Sequence, residues 1–291
     1  MLKKHPLTLS DRARWQSALS PENRRNSSTG FSSAFLWHRH CPLLLAEYGE
    51  RMSLELRCRL RGHFFLFPIG SGELRPALEA MMADAGSGFT LRYLEENQCR
   101  ELEALFPDTF LFEEDRDNAD YLYSLDAFAT LAGKKLHGKR NFCNRFEAAH
   151  SWEARPLQRA DFPLCLTLFD RWAQGREDSE DERTALSAAF TRWEALELEG
   201  TLLFAEGELI AFSVAEQLSA DTAVIHFEKA ESSVPGAYPM IARETARQLR
   251  REHPALLTLN REEDMGIPGL RKAKEEWYPS GLLMKYTVRL K

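Results

Sequence analysis

The sequence predicts an α/β (α+β) chain of two tandem domains, each a mixed, largely antiparallel sheet flanked by helices. Three observations lead there. Strand-like and helix-like segments alternate along the 291 residues, and one order of elements (meander, helix, strand, helix, last strand) runs twice. Hydrophobic residues make up 44% and charged residues 28%, which is ample for ordinary cores and excludes a disordered chain. The repetition is one of element order and not of residue identity, so it relates the halves without aligning them.

The first domain is assigned to residues 1–125. Residues 52–59 and 63–69 are short strand-like runs split by residues 60–62, which predicts a hairpin. Residues 72–85 put Leu74, Leu78, Met81 and Met82 on one side of a helix. Residues 89–94 read as a strand and 96–106 as a second helix, with 109–113 and 121–124 as closing strands of this half. A long helix over residues 126–149 joins the halves and is counted with the second domain, residues 126–291. There, strands 201–205 and 208–217 flank Glu206-Gly207, where Gly207 supplies the turn. Residues 222–229 form the next strand. Residues 238–252 are an amphipathic helix with Tyr238, Ile241, Ala242, Thr245 and Leu249 on one face and Arg243, Arg247 and Arg250 off it. A strand at 256–260, a helix at 268–277 opened by Pro268 and a final strand at 282–290 complete the half. The acidic stretch 175–183, without an apolar residue, reads as a solvated loop between two helices.

Composition narrows the function. Lys plus Arg is 38 against 44 for Asp plus Glu, a net charge of -6, which argues against a general nucleic-acid coat. Sequence-specific DNA binding is further disfavoured because the basic run lacks interleaved aromatics. Cys41, Cys58, Cys99, Cys143 and Cys165 are widely spaced and form no C-x-x-C pair, so no zinc site or disulfide framework is expected and a reducing compartment fits. Neither a secretory h-region nor an apolar run of bilayer length is visible, and the expectation is a cytoplasmic protein. No H-E-x-x-H spacing and no nucleophile elbow appear, so no metal is assigned.

Three places carry candidate chemistry. The run Gly133-Lys134-Lys135-Leu136-His137-Gly138-Lys139-Arg140, extended to Arg145, holds five cations and no acid. On one unbroken helix, Lys135 and Lys139 would lie beside Leu131, Phe142 and Phe146 and would need an anion. The alternative is a solvated basic face with the periodicity broken at Gly133 or Gly138. The turn Glu231-Ser232-Ser233-Val234-Pro235-Gly236 precedes a helix whose N-terminus could take a pyrophosphate, with Gly236 allowing close approach; an ordinary capped helix is the plainer reading. The segment from Asn260 to Arg271 leaves the carboxyl end of a strand, and its mixed charges could orient an amine and a carboxylate together or simply face water. His226 and Glu228 alternate on one strand face, so either could serve as a base, and a satisfied structural histidine is the alternative.

Two stretches resemble a bacterial family of unknown function related to the C-terminal catalytic domain of phosphatidylglycerol lysyltransferases. They are Tyr121-Leu122-Tyr123-Ser124 with residues 131–141, and residues 259–274, together with Phe35-Leu36-Trp37 near the start. The resemblance runs over nearly the whole chain and implies two tandem GNAT-type folds, as in Fem-type transferases. Such relatives move an aminoacyl group from charged tRNA to a lipid or peptide, whereas ordinary GNAT enzymes use acyl-CoA through an R/Q-x-x-G-x-G/A loop. Here Ser232-Ser233-Val234-Pro235-Gly236-Ala237 replaces that loop without its basic residue or paired glycines, which counts against tight acetyl-CoA binding. No counterpart of the lysyltransferases' membrane-spanning portion is present, so a lipid acceptor is expected to be reached from solution.

The reading that results is an aminoacyl- or acyl-transferase acting on an amine or hydroxyl of a small-molecule, peptide or lipid acceptor. Acyl-CoA or aminoacyl-tRNA would be the donor, and no further cofactor is assigned. Glu228 or His226 would be the base. Lys134, Lys135, Lys139, Arg140 and Gly236 would hold the donor's phosphate, and Asn260, Arg261, Glu262, Asp264, Arg271 and Lys274 would shape the acceptor pocket. The rival is a catalytically inactive GNAT-fold protein that binds a phosphorylated metabolite, a peptide or a tRNA end.

Overall fold

Residues 2–37, 42–58, 62–176 and 179–291 are described by a computed structural model and fold as two compact units. The first is Met1–Asp120, Glu263–Ile267 and Leu282–Lys291; the second is Tyr121–Glu262 and Pro268–Gly281. Each is assembled from stretches distant in sequence, and the chain first leaves the first unit at Asp120.

Along the chain come β1 (Lys3–Pro6), α1 (Arg12–Leu19), α2 (Phe31–Trp37), β2 (Leu43–Tyr48), β3 (Arg51–Cys58), β4 (Gly62–Phe65), β5 (Ile69–Gly70), α3 (Leu74–Ala85), β6 (Thr90–Leu94), α4 (Glu96–Leu105) and β7 (Phe110–Glu114). Then follow β8 (Asp120–Ser124), α5 (Leu125–Thr130), α6 (His137–Ala149), β9 (Trp152–Pro156), α7 (Phe162–Ala173), α8 (Ser179–Thr191), β10 (Glu199–Ala205), β11 (Glu208–Gln217) and β12 (Thr222–Ala230). The chain ends with α9 (Ala237–Glu252), β13 (Thr258–Asn260), α10 (Pro268–Glu275), β14 (Gly281–Leu283) and β15 (Tyr286–Leu290).

The first sheet has the order β1-β2-β3-β4-β6-β15-β7, with β5 paired to β3. Its core gathers Phe65, Leu78, Met81, Phe89, Leu91, Leu94, Leu102 and Val288, all buried, so the apolar stripe expected on α3 is the one that faces the sheet. The second sheet runs β14-β8-β13-β12-β11-β10-β9. The β10–β11 meander turns at Glu206 (φ 51) and Gly207 (φ 81), the left-handed pair a tight hairpin demands. The long α9 covers β10, β11 and β12 and also meets α5 and α6.

Four sequence expectations are corrected. Residues 121–124 do not close the first half: β8 pairs antiparallel with β13 in the second sheet. The final strand does not belong to the second half either, because β15 pairs with β6 and β7 in the first sheet. Alternation identifies a strand but not its partner, which is a non-local choice. The single helix over 126–149 is broken, since Leu131 (φ 50) ends α5 and Gly133 (φ 84) continues the turn. Arg140 donates to the Leu131 and Gly133 carbonyls there, supplying partners that an ended helix lacks. The acidic loop is shorter than expected because α8 starts at Ser179, with Glu180, Asp181 and Glu182 in its first turn, where the helix's positive end favours carboxylates. Among the described residues no helix is long and apolar enough to cross a membrane. Cys41 lies outside the described residues, while Cys143 and Cys165 are buried free thiols.

Candidate active site

Strands β12 and β13 run parallel and pair only over Thr222↔Thr258, Ala223↔Leu259 and Val224↔Asn260. Beyond that point β12 continues to Ala230, while the chain after Asn260 turns away through Glu262, which has φ 57. The turn is fixed locally: the buried Asn260 side chain accepts the Glu262 backbone N–H at 2.7 Å. Two strands that pair and then part leave a wedge at the carboxyl end of the sheet, where such folds place their chemistry.

Charged side chains occupy this wedge. His226 is buried, with Glu216 of β11 3.1 Å from its Nε2 and Glu262 3.1 Å from its Nδ1. Burial opposes the imidazolium charge, but the hydrogen bonds to Glu216 and Glu262 outweigh it and hold the pKa up to about 10. A ring protonated at neutral pH that donates from both nitrogens has no lone pair with which to accept a proton. The role of general base expected for His226 is therefore corrected: it is a buried cation that fixes two carboxylates.

Glu228, two residues further along β12, accepts from the Arg261 Nη2 at 2.5 Å. The Arg261 guanidinium lies 5.9, 5.5 and 5.6 Å from the ring centres of Tyr123, Phe128 and Trp277, and Phe128 stacks on Trp277 with centroids 4.4 Å apart. A planar, weakly hydrated cation suits such a cage better than an ammonium would. Lys274 of α10 donates to the Arg261 carbonyl at 2.5 Å and lies 5.6 Å from the Tyr121 ring, while its own carbonyl accepts the Tyr123 hydroxyl at 2.8 Å. Burial pushes the Tyr123 phenol up, so the hydroxyl remains a donor. Arg271 is half-buried on the same helix.

The expected acceptor group is thus partly gathered and partly divided. Asn260, Arg261, Glu262 and Lys274 join one network with His226 and Glu228. Asp264 belongs to the first unit, where it is fully buried against Arg116 at 3.0 Å and accepts the Gly266 N–H at 2.9 Å. That assignment to the acceptor pocket is corrected, since its carboxylate is committed elsewhere.

The expected phosphate group fares differently. Lys134 and Lys135 sit on the exposed turn before α6, and Lys135 lies 5.8 Å from the Tyr278 ring. Lys139 is 5.1 Å from the Trp277 ring and 3.3 Å from the Glu276 carboxylate. Both lysines therefore meet the C-terminal end of α10, and Lys135 does not lie on a helix face beside Leu131 and Phe146 as the unbroken helix required. Gly236 is the left-handed N-cap of α9 (φ 92). A Cβ there would come within 2.9 Å of the Phe142 carbonyl and 3.1 Å of the Phe146 Cβ, so the positive φ and the approach of α6 together account for this glycine.

One member of the site escaped the sequence reading. Glu216 is buried near the end of β11, whereas the strand's other acid, Glu208, is exposed at its start, and an acid that follows a mostly apolar run was the available signal. Lys229, the neighbour of Glu228, alternates to the other face of β12, where it stands 3.7 Å from the Trp172 ring and 2.7 Å from Glu182, and burial lowers its pKa.

Comparisons with known proteins follow this geometry. Residues 20–289 match the family described as phosphatidylglycerol lysyltransferase, C-terminal. A conserved protein of unknown function from Bacteroides thetaiotaomicron is 33% identical, with a TM-score of 0.94 and 100% of both chains covered. The L-PGS structure from Bacillus licheniformis gives 18% identity and a TM-score of 0.67 over 96% of this chain and 91% of that one. A tandem GNAT protein from the clavulanic acid biosynthesis pathway gives 11% and 0.57 over 99% and 98%. An uncharacterised protein of Mycoplasmoides gallisepticum is 24% identical over 179 residues, 60% of this chain, and the match spans about half of that protein, 56%. The fold is accordingly a pair of GNAT-like halves, each with its mainly antiparallel sheet.

Proposed function

The chain belongs to the phosphatidylglycerol lysyltransferase C-terminal family, and from that membership we propose that it is an aminoacyl- or acyl-transferase of the GNAT superfamily. Its acceptor would be an amine or hydroxyl. The single observation that supports this reading most is the parting of β12 from β13 after Val224↔Asn260, with Glu228, Arg261, His226 and Glu262 gathered at the gap.

In this reading the acceptor's lone pair attacks the donor carbonyl, the carbonyl oxygen gains the negative charge, and collapse expels the thiolate or ribose oxygen of the donor. Glu228 takes the acceptor proton, with Arg261 holding the carboxylate in place. Glu262, whose side chain keeps 19% exposure, is oriented by His226 towards the acceptor amine. Lys134, Lys135, Lys139 and Arg140 supply positive charge for the donor's phosphates, and Arg271 and Lys274 line the acceptor side. Aminoacyl-tRNA fits better than acyl-CoA, because the turn before α9 lacks a basic side chain and its single glycine answers to helix packing.

The same turn favours one rival, a binding protein without turnover. Incubation with radiolabelled aminoacyl-tRNA or acetyl-CoA, and with amine, peptide and phosphatidylglycerol acceptors in turn, separates the two. Label should pass to an acceptor, and Glu228→Gln should slow the transfer by about 10²- to 10⁴-fold while leaving the circular dichroism spectrum unchanged. Thermal stabilisation by a donor with no label transferred to any acceptor would establish the rival instead.

A further inference from the structure

The first unit contains a cavity of 520 Å³, a size suited to a small metabolite. Its wall includes Arg24, Arg25 and Arg51 and also Glu22, Glu95 and Glu101, a balanced set of cations and carboxylates. Three wall residues carry a polar atom that is shut off from water and has no hydrogen-bond partner: the Arg24 Nη1, the Gln98 Nε2 and the Glu95 Oε1.

Each of these side chains is anchored at its other polar atom. Arg24 pairs with Glu22 through Nη2 and lies 5.7 Å from the Phe67 ring centre. Gln98 and Glu95 form the reciprocal cap of α4: the Gln98 Oε1 accepts the Glu95 backbone N–H at 2.8 Å, and the Glu95 carboxylate accepts the Gln98 backbone N–H. Gln98 is only 3% exposed. The cap accounts for one polar atom of each residue and Asn26 also hydrogen-bonds the Glu95 carboxylate, which leaves the Gln98 Nε2 and the Glu95 Oε1 unexplained. Buried polar atoms without partners are rare, because each forfeits its hydration with nothing in return. Three on the wall of one cavity point to a ligand that satisfies them together after a small rotation of the side-chain ends.

The unmet atoms specify its chemistry. Two are donors, one of them cationic, and call for an anion; the third is a carboxylate oxygen and calls for a donor. We infer that this cavity is a binding site for a small zwitterion, a molecule carrying an anionic group and a protonated amine on one short backbone. An α-amino acid and a phosphorylated amino alcohol share that chemistry. The anion meets Arg24 and Gln98, and the amine meets Glu95. Burial pushes the Glu95 carboxyl above its usual range against the opposing pull of Arg24, the condition under which an added cation is most welcome. The site shares no residue with those proposed for acyl transfer and does not depend on that reading.

Isothermal titration calorimetry on the full chain tests it, with glycine, L-alanine, L-lysine, L-glutamate and phosphoethanolamine as probes and propionate, propylamine and inorganic phosphate as single-group controls. Saturable binding of at least one zwitterion is expected, about tenfold or more tighter than any control, with the amino-acid and phosphoethanolamine arms distinguishing carboxylate from phosphate. Gln98→Glu keeps the capping oxygen and removes only the unmet donor, and should weaken the anion's hold by about ten- to a hundredfold. Glu95→Gln also preserves the cap and should weaken binding through the amine. Melting temperatures close to the parent's would confirm that both variants fold. Phosphate or propionate binding as tightly as the zwitterions would overturn the proposal, as would an unchanged affinity in both variants or the absence of heat with every probe.

Discussion

Replacing His226 with phenylalanine tests the assignment of a buried imidazolium directly. The ring lies between Glu216, with 3% side-chain exposure, and Glu262, with 19%, so the variant leaves two facing carboxylates with no cation between them. Removing one partner of a buried ion pair costs about 3–5 kcal/mol, because the remaining charge stays desolvated. Linkage gives a similar bound: a pKa of about 10 against the ordinary 6.5 corresponds to roughly 5 kcal/mol. Because the folded pKa is raised, the contribution is complete below pH 6.5 and is lost as pH climbs from 6.5 to about 10. Urea denaturation of both proteins across pH 4–10 should therefore show a difference of about 3–5 kcal/mol near pH 7. That difference should shrink towards pH 10, as the parent's imidazolium deprotonates, and also in acid, as the variant's carboxylates protonate. Nitrogen chemical shifts of the imidazole give an independent reading. A His226 ring that titrates near 6.5, or a variant costing less than about 1 kcal/mol at pH 7, would refute the reasoning.

Lys285 and Asp120 in the first unit are both fully buried, 2.7 Å apart, with Ser27 and Ser28 completing the hydrogen bonds. Lys285→Met should cost about 3–5 kcal/mol in denaturant unfolding, and adding Asp120→Leu should return much of it. Gly236→Ala should destabilise by about 2 kcal/mol or more, through both its positive φ and its contact with Phe142, while Gly207→Asn, with nothing within 4 Å, should cost less than about 1 kcal/mol. Burial pushes the Cys143 and Cys165 thiols up to about 11 and about 12. Both should stay unlabelled by a thiolate-selective reagent at pH 8 in the native protein and react once it is unfolded, as peptide mapping would show.

Local elements were readable in the sequence wherever a period or a turn signal was strong. The stripe of Leu74, Leu78 and Met81, the Glu206-Gly207 turn and the amphipathic face of α9 were each written in spacing that elementary geometry converts to structure. Partner choice was not. Nothing in residues 121–124 or 286–290 says which sheet they complete, because that depends on contacts with strands more than a hundred residues away. The site was legible only in part. Arg261 was singled out as a loop charge, but its cage comes from Tyr123, Phe128 and Trp277, three separate elements that only the fold brings together. The basic run misled for a local reason: Leu131 and Gly133 take left-handed conformations, so the 100° step that put Lys135 on an apolar face does not carry through them.

The segment after β13 shows why charge in a loop is an ambiguous signal. Asn260, Arg261, Glu262, Glu263 and Asp264 read equally as charges that shape a pocket or as charges that face water, and Asn260 and Asp264 are completely buried. Successive residues enter different networks: Arg261 pairs with Glu228, Glu262 with His226, Glu263 lies 3.9 Å from Lys285 and Asp264 pairs with Arg116. Each such pair carries a desolvation cost that an apolar pair of similar volume would avoid, so stability alone does not account for them. What these pairs secure is direction. Glu262 and Met265 hold left-handed backbone at φ 57 and 53, conformations that cost free energy and persist only where neighbours over-determine them. An apolar segment would collapse onto the nearest sheet, whereas Arg261 and Glu262 are each held to a side chain of β12. The wedge that supports the transferase reading is therefore bridged by the same charges that line it. On this argument Arg261→Met should disturb the geometry of the gap as well as its charge, and Arg261→Lys should restore the charge without restoring the planar contact with Tyr123, Phe128 and Trp277.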